Sequence, residues 1–206
     1  MSSITFQNGG QLVQLLKNGI ECASKVNARP ILCSLLLSMT TPGVLRIVST
    51  DSYHMLVQDY TVPGWVDNGD FDPVMLEVSD AKAWIKAIDV KSPCTVMITE
   101  RDQRVELTLT TRGAQLTAQA YDGTYPAYEN LIPADKDLGK FEAAGFDGRK
   151  ITVLGKIIAP GTSVKDVIPW ACKLMDAMKP CIFDSAYVNL TGWHARFVIM
   201  PYRILG

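Results

Sequence analysis

The spacing of apolar residues changes period several times within the first sixty positions. Ser3 to Gln7 alternates as a short strand, and Asn8-Gly9-Gly10 introduces a helix in which Leu12, Val13, Leu15, Leu16 and Ile20 recur at helical spacing. Pro30 stops that helix. Ile31 to Met39 is an apolar run suited to a strand buried on both faces, and Thr40-Thr41-Pro42-Gly43 is a turn. Leu45 to Gln58 reads as two strands meeting at a polar corner. Ile47 and Val48 lead in, Thr50-Asp51-Ser52 carries side chains that bond their own backbone, and Tyr53 to Val57 resumes the apolar pattern. Val57 to Val62 completes the order β-α-β-β-β.

The order then returns. Pro63 to Asp72, rich in glycine and acidic residues, is a linker. Val74 to Val78 predicts a strand, Ser79 an N-cap, and Ala81 to Val90 a helix with Trp84, Ile85 and Ile88 on its apolar side. Thr95 to Thr99, Arg104 to Thr110 and Gln115 to Tyr121 alternate with period two. After the polar stretch Ala134 to Lys140, Phe141 to Phe146 suits a strand. Asp147 or Gly148 starts a helix, and Arg149 to Ala159 spaces Ile151, Leu154, Ile157 and Ile158 helically until Pro160-Gly161. Val167 to Met175 is ambiguous, because propensity allows a helix and Pro169 opposes one.

Composition narrows the class without naming a function. At 206 residues, 48% hydrophobic and 20% charged, the chain can bury a sizeable core in one or two domains. A net charge of −1 gives no global attraction to nucleic acid or membrane, so any such contact rests on local placement. Cysteines 22, 33, 94, 172 and 181 lie among apolar neighbours with no Cys-x-x-Cys spacing, which predicts reduced thiols in a cytoplasmic protein and no zinc site. No signal peptide is visible, and the longest apolar run is too short to span a bilayer. Catalytic motifs are missing: the sequence has no P-loop, no His-Glu-x-x-His, no Gly-x-Ser-x-Gly and no dinucleotide fingerprint. His54 and His194 are isolated from nucleophile motifs, so a non-enzyme without cofactors is expected, with an α+β hydrolase using His54 as the less favoured reading.

Three stretches, taken together, carry a family resemblance. The corner Thr50-Asp-Ser-Tyr-His-Met55, the segment Gly123-Thr-Tyr-Pro-Ala-Tyr-Glu-Asn-Leu-Ile-Pro133 and the terminal Val198-Ile-Met-Pro-Tyr-Arg-Ile204 stand in the order of three signatures of one family. The chain resembles the sliding clamp of bacterial replication, the β subunit of DNA polymerase III, in a shortened form. Its fold would be α+β, built from repeated β-α-β-β-β units with antiparallel outer sheets and inner helices. Residues 1–133 would form a complete clamp domain from units 1–66 and 73–133, and residues 134–206 a half domain. Trp170 to Met175, Cys181 to Asp184 and Ala195 to Ile204 would be the strands of the third unit.

The resemblance also assigns sites. A pocket for short hydrophobic client peptides would use Thr50, Ser52, Tyr53, His54 and Met55 from the corner, Pro133 from the closing segment, and Val198, Ile199, Met200, Pro201, Tyr202 and Arg203 from the last strand. His54 and Met55 stand where the family has Arg-Leu. Inner helices would turn Lys17, Lys25, Arg29, Lys82, Lys86, Arg149, Lys150 and Lys156 toward DNA. The three helical segments carry a net +5 against −6 on the rest of the chain, a distribution suited to contacting phosphates without reading bases. The implied function is a ring-forming processivity factor that encircles duplex DNA and tethers DNA polymerase and other clients, as a homo-oligomer and with a clamp loader among its partners. The alternative is a non-ring clamp-like decoy or adaptor. The apolar face of the third helix lacks a partner unit, which predicts that Ile151, Leu154 and Ile158 are buried against unit two or across a subunit contact.

Overall fold

The structure is a computed structural model, and it describes residues 2–63, 71–102, 104–132, 146–162, 170–173, 180–185 and 192–201. The first unit consists of β1 (Ser2–Phe6), α1 (Gly9–Cys22), β2 (Ser34–Thr41), β3 (Val44–Thr50) and β4 (His54–Thr61). The second repeats it with β5 (Val74–Glu77), α2 (Val78–Ala87), β6 (Cys94–Arg101), β7 (Arg104–Thr111) and β8 (Ala114–Gln119). The third comprises α3 (Gly148–Leu154), β9 (Trp170–Lys173), β10 (Cys181–Ser185) and β11 (Trp193–Ile199). The expected strand Phe141 to Phe146 falls almost entirely outside the described residues.

Units one and two exchange their first strands. β1 pairs with β6, giving the antiparallel order β1-β6-β7-β8, while β5 pairs with β2. The second sheet continues past unit one: its order is β5-β2-β3-β4-β11-β10-β9, with β11 joined to β4 over seven residue pairs from Trp193↔Tyr60 to Ile199↔His54. The third unit is thus an extension of the first. The expected partner of its helix, unit two or another subunit, is corrected accordingly. Ile151 and Leu154 are half-buried against the shared core, and the buried residues of this region are Val153, Ile157, Ala159 and Pro160. Ile158 is tied to unit one through its backbone.

Helices α1 and α2 lie side by side beneath the sheets, and their contact sets a glycine. Gly9 and Gly10 donate backbone N–H bonds to Ser92 and Val90 just beyond α2. A Cβ at Gly9 would stand 2.5 Å from Ile88 Cγ2 and 2.6 Å from the Asp89 carbonyl, so no larger residue fits without backbone movement. Asn8 caps α1 by accepting from Gly10 N at 2.8 Å.

Local boundaries differ from expectation at several places, among them α3, which ends at Leu154 and does not run on to Ala159. α1 ends at Cys22, so Lys25 and Arg29 sit in the following loop and not on the helix. Beyond Ala23 the apolar spacing fails: Ser24 Oγ accepts from Val26 N, and Val26 is exposed. Pro30 opens a 3-10 turn, Pro30–Cys33, which delays β2 to Ser34. α2 starts at Val78, with Glu77 and not Ser79 at the N-cap position. Among the described residues no helix is long and apolar enough to cross a membrane.

The large sheet has two cores. Residues such as Leu35, Leu45, Ile47, Leu56, Tyr60, Trp193, Ala195 and Phe197 face inward to the helices and the small sheet. Leu36, Val48, Met55, Val57, Met75, Ile182 and Val198 form a second apolar layer on the opposite face. The segment after β8 crosses to cover it. Tyr121 N bonds the Met75 carbonyl at 2.9 Å, and Tyr121, Tyr125, Tyr128 and Ile132 pack on the layer.

Candidate functional site

The corner between β3 and β4 is held by its own side chains. Thr50 Oγ1 donates to the His54 carbonyl at 2.8 Å and accepts from Ser52 N at 3.1 Å. Ser52 adopts a positive φ of 78°, which those contacts hold in place. Asp51 Oδ1 accepts from the backbone N–H groups of Tyr53 and His54 at 2.9 and 3.0 Å. Its Oδ2 binds the ammonium of Lys150 on α3, which also lies 5.4 Å from the centre of the Tyr53 ring. Burial alone would raise the Asp51 carboxyl. His54, Lys150 and the two N–H groups outweigh it and hold Asp51 well below the usual carboxylate range. One short corner of unit one is thereby fastened to unit three.

Strand alternation divides the expected pocket residues between two faces. His54 and Ile199 are register partners on the inner face, both buried, with the His54 imidazole tilted on Phe197 at 5.5 Å between centroids. His54 Nδ1 lies 2.7 Å from Asp51 Oδ1, and Nε2 is buried without a partner among the described residues. Met55 and Val198 are partners on the outer face, beside Val48, Val57 and Ile182. The strand end adds Met200, 42% exposed, whose N–H donates to the Tyr53 carbonyl at 3.0 Å; Tyr53 is itself 67% exposed. Thr50 is buried, Ser52 is exposed within reach of Arg29 at 3.3 Å, and Pro201 is half-buried. Pro133, Tyr202 and Arg203 lie outside the described residues. The structure therefore gathers Thr50, Tyr53, Met55, Val198 and Met200 around an apolar floor and turns His54 and Ile199 away from it.

Two residues that matter here escaped the sequence reading. Asp51 was visible as turn chemistry, and its anchoring of Lys150 required the third dimension. Ile132, on the lip of the outer layer, carried no distinguishing signal beyond its place before Pro133.

The basic residues are unequally available. Lys17 on α1 and Lys82 and Lys86 on α2 are exposed. Lys156 bonds Glu21 at 2.9 Å, and Arg149 bonds Asp147 at 2.8 Å. Lys150 is engaged by Asp51, and Lys25 and Arg29 leave α1 for the loop.

A buried polar network joins α1 to unit three. Asn18, fully buried, donates to the Ile158 carbonyl at 2.7 Å and accepts from Ile158 N at 3.1 Å. Gln58 Nε2 donates to the Leu15 carbonyl at 2.8 Å, and its Oε1 receives Asn18 and Trp193 Nε1, both at 3.3 Å. Every polar atom of the pair is used, as burial requires.

Two five-element units that exchange first strands around paired helices, with a third continuing one sheet, form an arrangement with known counterparts. No protein-family model matches the chain, and no curated protein matches it by sequence. Solved structures do match. The DNA polymerase sliding clamp from Bacillus subtilis superposes with a TM-score of 0.76 over 98% of this chain at 14% identity. The chain has the sliding-clamp fold. A Pseudomonas aeruginosa sliding clamp solved with ligand gives 0.76 over 98% at 14%, and the DNA polymerase III β subunit from Thermotoga maritima gives 0.73 over 100% at 16%. The chain covers 64% of the Bacillus clamp chain, 66% of the Pseudomonas chain and 67% of the Thermotoga chain, so it spans about two thirds of their length.

Proposed function

We propose that this chain is a DNA sliding clamp, a ring-forming processivity factor that encircles duplex DNA and tethers a polymerase and other replication proteins through the surface around Tyr53 and Met200. The observation that carries the reading is the sliding-clamp fold over 98% of the chain, with Tyr53 and Met200 exposed beside the buried apolar layer of Met55, Val57 and Val198. An aromatic and a flexible thioether beside a buried floor suit the apolar anchors of a short peptide, and the methionines adapt to more than one client. Lys17, Lys82 and Lys86 on the paired helices suit non-specific phosphate contact. Held on its template, a polymerase rebinds at high effective concentration, so weak peptide contacts suffice. The chain acts without a cofactor and is not itself an enzyme.

A ring needs more than one copy, since 206 residues do not encircle a duplex. β8 occupies in unit two the position that β4 occupies in unit one, yet among the described residues nothing pairs with its outer edge. Its sequence, Ala-Gln-Leu-Thr-Ala-Gln, has neither the charges nor the proline that shield a solvent-facing edge, which favours β8 as the edge that joins subunits. If closed rings hold twelve units, four chains supply them.

The second reading, a non-ring decoy or adaptor for client peptides, draws on Lys150 and Lys156 being committed to Asp51 and Glu21. Loading the protein on nicked circular DNA separates the two. A ring stays bound in high salt and is lost when the circle is cut; loss in salt from circular and linear DNA alike contradicts the clamp.

A further inference from the structure

At the far end of the large sheet two thiols from neighbouring strands meet, with Cys172 Sγ 3.4 Å from Cys181 Sγ. β9 and β10 are antiparallel with Cys172 opposite Phe183. Cys181, two residues before Phe183, is on the same face and is the diagonal neighbour of Cys172. That face is fixed by Trp170, also on β9, which packs edge-on against Trp193 at 6.4 Å between centroids. Bringing the sulfurs to bonding distance takes about 1.4 Å of movement, taken up by side-chain rotation and a small shift of the edge strand β9.

The two thiols are unequal. Cys181 is 1% exposed within the core, whereas Cys172 is exposed, because β9 is the last strand of a sheet that no further described element covers. An accessible thiol that meets the oxidant, with a sheltered thiol touching it, is the arrangement of an attacking and a resolving cysteine. The remaining cysteines do not compete: Cys22 and Cys94 are buried, with burial pushing the Cys94 thiol up to about 11, and Cys33 faces the Val26 carbonyl at 3.6 Å.

We propose that Cys172 and Cys181 form a reversible redox dithiol, a modification site whose oxidant is a low-molecular-weight disulfide of the glutathione class. The Cys172 thiolate attacks one sulfur of the small disulfide, forming a mixed disulfide and expelling one small thiolate. Cys181 then gives up its proton and attacks the Cys172 sulfur, expelling the second small thiolate. Two protein thiols are oxidised to one disulfide, one small disulfide is reduced to two thiols, and each cysteine proton ends on a released thiolate. Burial and the neighbouring Cys172 raise the Cys181 thiol, which makes the second step the slower one. The bridge staples the edge strand β9 to β10.

The test is incubation of the full chain with oxidised glutathione without denaturant, followed by unfolding in an alkylating agent and peptide mass spectrometry. The expected product is a Cys172–Cys181 link, reversed by dithiothreitol, with maleimide labelling of native Cys172 falling roughly tenfold or more on oxidation. Cys181→Ser should trap a lasting glutathione adduct on Cys172, and Cys172→Ser should leave Cys181 unmodified. Should Cys181→Ser fail to fold, the wild-type time course decides: an adduct on Cys172 that rises and then gives way to the link. A stable wild-type adduct, a link to Cys33 or to another copy, or an unreacted Cys172 overturns the proposal.

Discussion

β4 and β8 are the same strand in two units, and among the described residues only β4 has a strand on its outer side. β4 takes β11 along its whole length, with Gln58 at mid-strand bonding the helix below and Trp193 beyond. β8 carries threonine and glutamine on its solvent side and ends at an open edge. On the proposed function, the difference lets one unit serve two purposes. Where a buried polar network and a seven-pair register are added, the edge becomes an internal junction. Where they are absent and nothing repels a newcomer, the edge remains a place to join.

The junction is the easier side to break. Asn18→Leu removes both bonds to Ile158 and strands the Ile158 amide and carbonyl in the core. It should cost about 3 kcal/mol in urea unfolding and loosen hydrogen exchange in residues 150–159 before the β6–β8 sheet. A uniform loss of protection in both sheets would show that Asn18 does not serve the junction specifically. Gly9→Ala tests the helix pairing that both edges rest on. The Cβ meets Ile88 and the Asp89 carbonyl, so about 2 kcal/mol of stability should be lost, and an unchanged melting temperature would contradict the close approach.

Asp184 sharpens the comparison by pH. It stands on the outer face of unit three with His194 at 2.8 Å, Lys173 at 3.1 Å and Arg196 at 3.3 Å. Burial would raise its carboxyl, but these partners prevail and lower it to about 2. A carboxyl depressed on folding stabilises above its unfolded pKa and loses that contribution as pH falls through the folded value. The stability of about 2 kcal/mol associated with this shift should therefore be complete above about pH 4 and fade toward pH 2. Asp184→Asn should flatten the acid limb of the stability profile by that amount, and an unaltered limb would remove Asp184 from the account. The smallest change in stability belongs to the proposed client surface. Tyr53→Ala and Met200→Ala, both exposed, should leave folding within about 0.5 kcal/mol while weakening a hydrophobic client peptide about tenfold in titration calorimetry. Unchanged peptide affinity would move the binding site elsewhere.

Local pattern made the repeated units readable. Helical spacing found α1 and α2, alternation found β6 to β8, and of the two expected starts of α3, Asp147 or Gly148, the helix begins at Gly148 with Asp147 as its cap, accepting from Arg149 N. The exchange of β1 and β5 was not readable, because each strand's own sequence is equally content with either neighbour. Lys25 and Arg29 were carried onto α1 because Pro30 appeared to be the stop, whereas Ser24 turns the chain first. The expected pocket residues stand together in the sequence, and the pleat splits them: Met55 and Val198 outward, His54 and Ile199 inward. Lys150 illustrates the limit of charge counting, since a lysine on a helix is free for DNA only if no carboxylate such as Asp51 reaches it first.

The most direct test of the two-edge account is the solution mass of the native protein beside a Gln115→Lys/Gln119→Lys variant, which places cations along the open side of β8. The account predicts a defined oligomer for the wild type and a folded monomer, or a smaller assembly, for the variant. A wild type that is monomeric at every concentration, or a variant whose assembly is unaltered, would contradict it.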